Sequence, residues 1–129
     1  VAFGHCPLLT AISAAAMTRL ADFRTQEVSN TVWSFATLSI KDPPLLQSIS
    51  KVAISTIDEY SVQDLSNSAW AFSTLQWSDA PLMDAIASRS IAKLGKEFYL
   101  QSVANTAWAF STLPCQHKPL IQAISSAAQ

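Results

Sequence analysis

Apolar and polar positions follow one another along this chain with a helical period, not a strand period. In "DLSNSAWAFSTL", residues 64–75, Leu65, Ala69 and Phe72 fall at i, i+4 and i+7. At 100° per residue these positions return to one side of a helix, which marks them as a buried face. Gln63, Asn67, Trp70 and Thr74 form a second stripe at i, i+4, i+7 and i+11, rotated about half a turn from the first. Both stripes recur in "EVSNTVWSFATL" at 27–38 and "SVANTAWAFSTL" at 102–113. There the polar row reads Gln26, Asn30, Trp33, Thr37 and Gln101, Asn105, Trp108, Thr112. Asn30, Asn67 and Asn105 are 37 and 38 residues apart, so the chain is an array and its period must be read before its parts.

A second element keeps the same period: "PLLTAISAAAMTRL" from Pro7, "PLLQSISKVAISTI" from Pro44, "PLMDAIASRSIAKL" from Pro81 and "PLIQAISSAA" from Pro119. Each unit reads as a Pro helix, a short turn around Phe23, Tyr60 or Phe98, and a Trp helix. Proline suits a first helical turn, where its missing N–H has no intrahelical partner, and Asp42 and Asp79 stand two positions earlier as N-caps. His5 and His117 hold the same place and read as turn or cap. The extra residue of the longer period falls between Leu94 and Phe98, which marks a loop.

The expected fold is all-α, an α-solenoid of αα-hairpin repeats with four Pro helices and three Trp helices. The repeat units are 7–43, 44–80, 81–118 and a partial 119–129 within a single helical-repeat segment, 1–129. Each Trp helix is expected to lay its apolar face on its own Pro helix. The pattern runs to both ends without a polar capping repeat, so the chain is expected to be part of a longer one.

Composition agrees with helices and narrows the chemistry. Half of the 129 residues are hydrophobic and only 2 are Gly. The 8 Lys and Arg against 9 Asp and Glu give a net charge of −1, which attracts neither nucleic acid nor an anionic membrane as a whole. No Lys or Arg lies on any Trp helix; Arg19, Lys51, Arg89 and Lys93 are on Pro helices, and Arg24, Lys41, Lys96 and Lys118 are in or beside turns. Cys6 and Cys115 lack the spacing of a zinc site or disulfide framework, so no metal and no cofactor is expected. No apolar run approaches the roughly 20 residues of a membrane span, so no membrane insertion is expected.

Two readings compete for the polar row. In the structural one, Trp33, Trp70 and Trp108 fill the seams between repeats. The asparagines then bond neighbouring backbone as a buried ladder, and Ser29, Ala36, Ser66, Ser73, Ala104 and Ser111 let adjacent helices come close. In the functional one, Gln26, Asn30, Gln63, Asn67, Gln101 and Asn105 contact RNA in a concave groove, with aromatic faces stacking bases. We expect the tryptophans to serve the seam and the Gln and Asn pairs to serve both. Base choice would fall at positions that vary between units: Glu27, Asp64 and Ser102, and Ser34, Ala71 and Ala109. The first-turn acids also have a simpler role beside the helix dipole.

The segments "SNTVWSFATL", "SNSAWAFSTL" and "ANTAWAFSTL", each with a Pro-Leu helix beside it, resemble the helical repeats of octotricopeptide-repeat and RAP-domain proteins, organellar RNA-binding proteins of algae and alveolates. The resemblance covers essentially the whole chain. It departs in "KDPPLLQSIS" and "SDAPLMDAIA", which lack the Pro-Pro-Pro-Glu-Trp signature, and no RAP domain follows Gln129. It implies a non-catalytic segment in a mitochondrion or plastid, binding single-stranded or ribosomal RNA in RNA processing, stability, translation or ribosome assembly. A protein-binding scaffold or structural subunit of a large organellar complex is the alternative that the near-neutral charge favours. An enzyme is not expected, because no nucleophile with a positioned base, carboxylate pair or phosphate-cradling Gly loop appears.

Overall fold

The structure is a computed structural model that describes residues 7–94, 100–112 and 118–127. The described residues form seven α-helices and two 3-10 turns, without strand: α1 (Pro7–Arg19), a turn at Leu20–Asp22, α2 (Thr25–Thr37), α3 (Pro43–Ser55), a turn at Ile57–Glu59, α4 (Val62–Thr74), α5 (Ala80–Lys93), α6 (Leu100–Thr112) and α7 (Lys118–Ala127). The all-α expectation is met. The expected turns at Phe23 and Tyr60 follow directly after the two 3-10 turns, whereas Phe98, the loop before it, both histidines and both cysteines lie outside the described residues.

The helices form two layers. The Trp helices α2, α4 and α6 pack one on the next, and the Pro helices α1, α3, α5 and α7 do the same. Between layers the closest backbone approaches are α2 to α3, α4 to α5 and α6 to α7. Each Trp helix therefore leans on the Pro helix that follows it, not on the one before it as expected. The core lies between the layers, where Leu45, Ile49, Leu65, Phe72, Leu82 and Ile86 are fully buried.

Asp42 and Asp79 cap as expected, and each also reaches across a repeat boundary. Asp42 Oδ1 accepts the Leu45 N–H at 3.2 Å, while its Oδ2 accepts the Ser13 hydroxyl of α1 at 2.6 Å. Asp79 repeats this with the Leu82 N–H at 3.1 Å and the Ser50 hydroxyl of α3 at 2.5 Å. One carboxylate thus satisfies a helix start and clamps the preceding Pro helix. At the third junction Ala87 stands in the serine position and His117 in the aspartate position, so both partners of the clamp change together.

The Trp layer is drawn tight by small residues. Ser29, Ala36, Ser66 and Ser73 are buried where α2 meets α4 and α4 meets α6. The Ser73 hydroxyl donates to the Ala109 carbonyl oxygen of α6 at 3.0 Å, a contact that only a small side chain permits. On α6, which has no further Trp helix beside it among the described residues, the equivalent Ala104 and Ser111 are exposed.

Candidate nucleic-acid interface

Tight stacking of the Trp helices turns the polar row into a surface. A cleft of about 410 Å³ opens between the N-terminal halves of α2 and α4. Gln26 and Asn30 line one wall, Gln63 and Asn67 the other, with Arg24, Glu59 and Ser61 completing the lining. Four of the six residues expected to contact RNA therefore share one site; Gln101 and Asn105 lie on α6, exposed and half-buried respectively. The Gln63 side-chain N–H donates to Asn67 Oδ1 at 2.8 Å. This fixes two amides relative to each other and leaves the Asn67 amino group and the Gln63 carbonyl oxygen with open valences.

The bottom of the cleft is a buried carboxylate. Asp64 is 5% exposed; its Oδ2 accepts the Thr25 hydroxyl at 3.0 Å and its Oδ1 accepts the Ser29 hydroxyl at 3.1 Å, both from α2. Within α4, Asp64 and Ser61 cap each other: Ser61 N–H to Asp64 Oδ2 at 3.2 Å, and Asp64 N–H to Ser61 Oγ at 3.1 Å. Beside this group the Tyr60 hydroxyl is buried and makes no well-formed hydrogen bond among the described residues. Burial first, and the Asp64 carboxylate second, push its pKa well above the usual phenol range, an effect that the neighbouring Ser68 hydroxyl only partly offsets.

The aromatic part of the row is not interior. Trp33 is 43% exposed and Trp108 46% exposed, while Trp70 is half-buried. Trp33 and Trp70 meet across the α2–α4 seam with ring centroids 6.1 Å apart and planes tilted by 35°. The expectation of buried seam fillers is therefore corrected for Trp33 and Trp108, which lie at the solvent edge, whereas Trp70 packs partly buried against the core beside the serine and alanine of the seams. The buried asparagine ladder is corrected too, since Asn30 is exposed and Asn67 and Asn105 are half-buried. Among the varying positions expected to select bases, Asp64, Ser102, Ala71 and Ala109 are buried. Burial closes Ser102, Ala71 and Ala109 to a ligand, and Asp64 is reached only as the floor of the cleft. Glu27 and Ser34 are exposed, and Glu27 accepts the Arg24 N–H at 3.1 Å.

Sequence reasoning missed Arg24, Glu59 and Ser61 as cleft residues. The signal was there for Arg24, which lies directly before a Trp helix, where the other two units have Ser61 and Tyr99. Among the described residues no cluster of His, Cys, Asp or Glu is placed to hold a metal ion, and no helix is long and apolar enough to cross a membrane.

No curated protein matches the chain. A protein family does: the description "RNA-editing substrate-binding complex 6 protein" matches residues 3–129. This is an RNA-associated family, in keeping with the resemblance drawn from the repeat motifs, and the match does not point specifically to octotricopeptide or RAP-domain repeats. With the match spanning nearly its whole length, the chain belongs to the RNA-editing substrate-binding complex 6 family.

Proposed function

We propose that this chain is a non-catalytic RNA-binding repeat segment that serves RNA processing in an organelle, as a component of an RNA-editing substrate-binding complex. The observation that carries the reading is the Gln–Asn–Trp row, whose α2 and α4 amides gather in a cleft and in which Trp33 and Trp108 are exposed. Small residues close most of the seams and apolar faces the core, so that Trp33, Trp108 and the Gln amides are left at the surface, while Trp70 also packs against the core. Membership of a family named for substrate binding in RNA editing supports the same reading. On this reading the repeat units 7–43, 44–80 and 81–118 each contribute one copy of the row.

The test is titration of the chain with labelled single-stranded RNA over a range of salt. Each neutralised phosphate adds about 0.7 to the slope of log affinity against log salt for single strands. With no cation on the Trp helices, binding with a shallow slope is expected. Complete absence of RNA binding at low salt would leave the second reading, a protein-binding scaffold within a large complex. That reading draws on the net charge of −1.

A further inference from the structure

We propose that the α2–α4 cleft reads one unpaired ribonucleotide, holding it by base edge and ribose 2′-hydroxyl and not by phosphate. The inference rests on the RNA-binding reading and gives it a site.

Charge argues first. The cleft residues include one cation, Arg24, and two carboxylates, Glu59 and Asp64. A phosphate placed there meets a net negative surround, which like-charge repulsion disfavours. Neutral hydrogen-bonding groups dominate instead: Gln26 and Asn30 each present a carbonyl oxygen and an amino group, and the mutually bonded Gln63 and Asn67 add one carbonyl oxygen and one amino group. That mixed pattern complements a base edge, and an amide oxygen also accepts from the 2′-hydroxyl that distinguishes RNA from DNA. The volume of about 410 Å³ lies within the range of small-ligand sites.

The tryptophans fix where the base lies. A base inserted between two rings needs two stacking distances of about 3.4 Å each, more than the 6.1 Å that separates Trp33 and Trp70. The pair is therefore a platform and not a pair of jaws. Trp33 is the more exposed of the two and lies one helical turn beyond Asn30. The base stacks on its open side and turns its edge toward the Asn30 and Asn67 amides.

The experiment measures affinities of the chain for short single-stranded homopolymers of each base, as RNA and as DNA, at low and moderate salt. The unaltered chain is compared with Asn30→Ala/Asn67→Ala, with the near-isosteric Asn67→Asp and with Trp33→Ala, each checked by melting temperature. RNA is expected to bind tighter than DNA. Both asparagine variants should lose roughly tenfold in RNA affinity, the scale of one or two hydrogen bonds, and with it the preference over DNA. Trp33→Ala should weaken RNA and DNA alike. Asn67→Asp keeps the side chain's shape but adds a charge that weakens RNA and DNA alike, so a loss selective for RNA, shared with the neutral double variant at an unchanged melting temperature, reports the lost donors and not repulsion or unfolding. Undiminished RNA affinity and preference in both asparagine variants would overturn the cleft assignment while the RNA-binding reading stands. Equal affinity of the unaltered chain for RNA and DNA, or a steep salt slope, would overturn it as well. Failure of the unaltered chain to bind any RNA would remove the proposed function and the site together.

Discussion

Tyr60 and Asp64 sit side by side, and opposite consequences follow from their partners. The Tyr60 hydroxyl is buried beside the Ser68 hydroxyl but makes no well-formed hydrogen bond among the described residues, in a position that the other units fill with Phe23 and Phe98. An unmet buried hydroxyl carries a desolvation cost without return, so Tyr60→Phe is expected to leave stability unchanged or raise it by up to about 1 kcal/mol. Thermal denaturation decides this, and a loss of stability would mean that the oxygen has a partner. Asp64, in contrast, joins α2 to α4 through Thr25 and Ser29 and accepts the Ser61 N–H at the start of α4. Asp64→Ala removes that cap and the Thr25 acceptor and leaves Ser29 only the Gln26 carbonyl oxygen, at an expected cost of about 1–3 kcal/mol. Its carboxylate was legible as a first-turn acid, but its burial was not. The groups that bury it are 35 and 39 residues away, on a helix whose register against α4 no local pattern encodes.

The helices themselves were legible because each is specified locally: a 3.6-residue period, Pro in the first turn, Asp42 and Asp79 as caps. Their C-terminal stops were not. α2 and α4 end with Ser39 and Gln76 at φ 59° and 56°, the left-handed region where glycine is usual. The chain has no glycine there to announce the turn. What holds these residues is the closing pattern of bonds: Ser39 N–H to Ala36 O at 3.0 Å and Ile40 N–H to Phe35 O at 2.9 Å, repeated as Gln76 to Ser73 at 3.0 Å and Trp77 to Phe72 at 2.9 Å. Lys41 secures the second stop from the neighbouring unit, its Nζ 3.4 Å from the Gln76 carbonyl oxygen and 5.7 Å from the centre of the Trp77 ring. A non-glycine residue in this region costs roughly 1–2 kcal/mol, and part of that is lost again to the greater freedom of an unfolded glycine. Ser39→Gly and Gln76→Gly should each stabilise by about 0.5–1 kcal/mol, read as a rise in urea midpoint with unchanged slope. The same local patterns also explain the misplacement of the tryptophans. A stripe at i, i+4 and i+7 says which residues share a side of a helix and nothing about what lies across from them.

Across the whole array, equivalent residues meet different surroundings, and that makes the packing of the repeats testable position by position. Leu8, Leu45, Leu82 and Leu120 each follow the recurrent proline of their units. The last three are fully buried, whereas Leu8 is 66% exposed. The next turn repeats the contrast: Ile49 and Ile86 are 1% and 0% exposed, and Ile12 is 43% exposed. The difference comes from neighbours alone, because α3 has α1 in front of it and α5 has α3, while α1 has no Pro helix before it among the described residues. Burial in this fold is therefore conferred by the preceding repeat, the nearest-neighbour coupling of a solenoid. Leu45→Ala and Leu82→Ala should each cost about 2–5 kcal/mol as large-to-small changes in a filled core, and Leu8→Ala should stay within about 0.5 kcal/mol as a surface change. Hydrogen exchange on the same variants gives the spatial half of the test. Loss of protection in Leu45→Ala should extend into α1 and α5, the two Pro helices that touch α3, before it reaches α7. Equal costs at Leu8 and Leu45, or loss of protection confined to α3, would show that the repeats hold themselves together singly and not through their stacking.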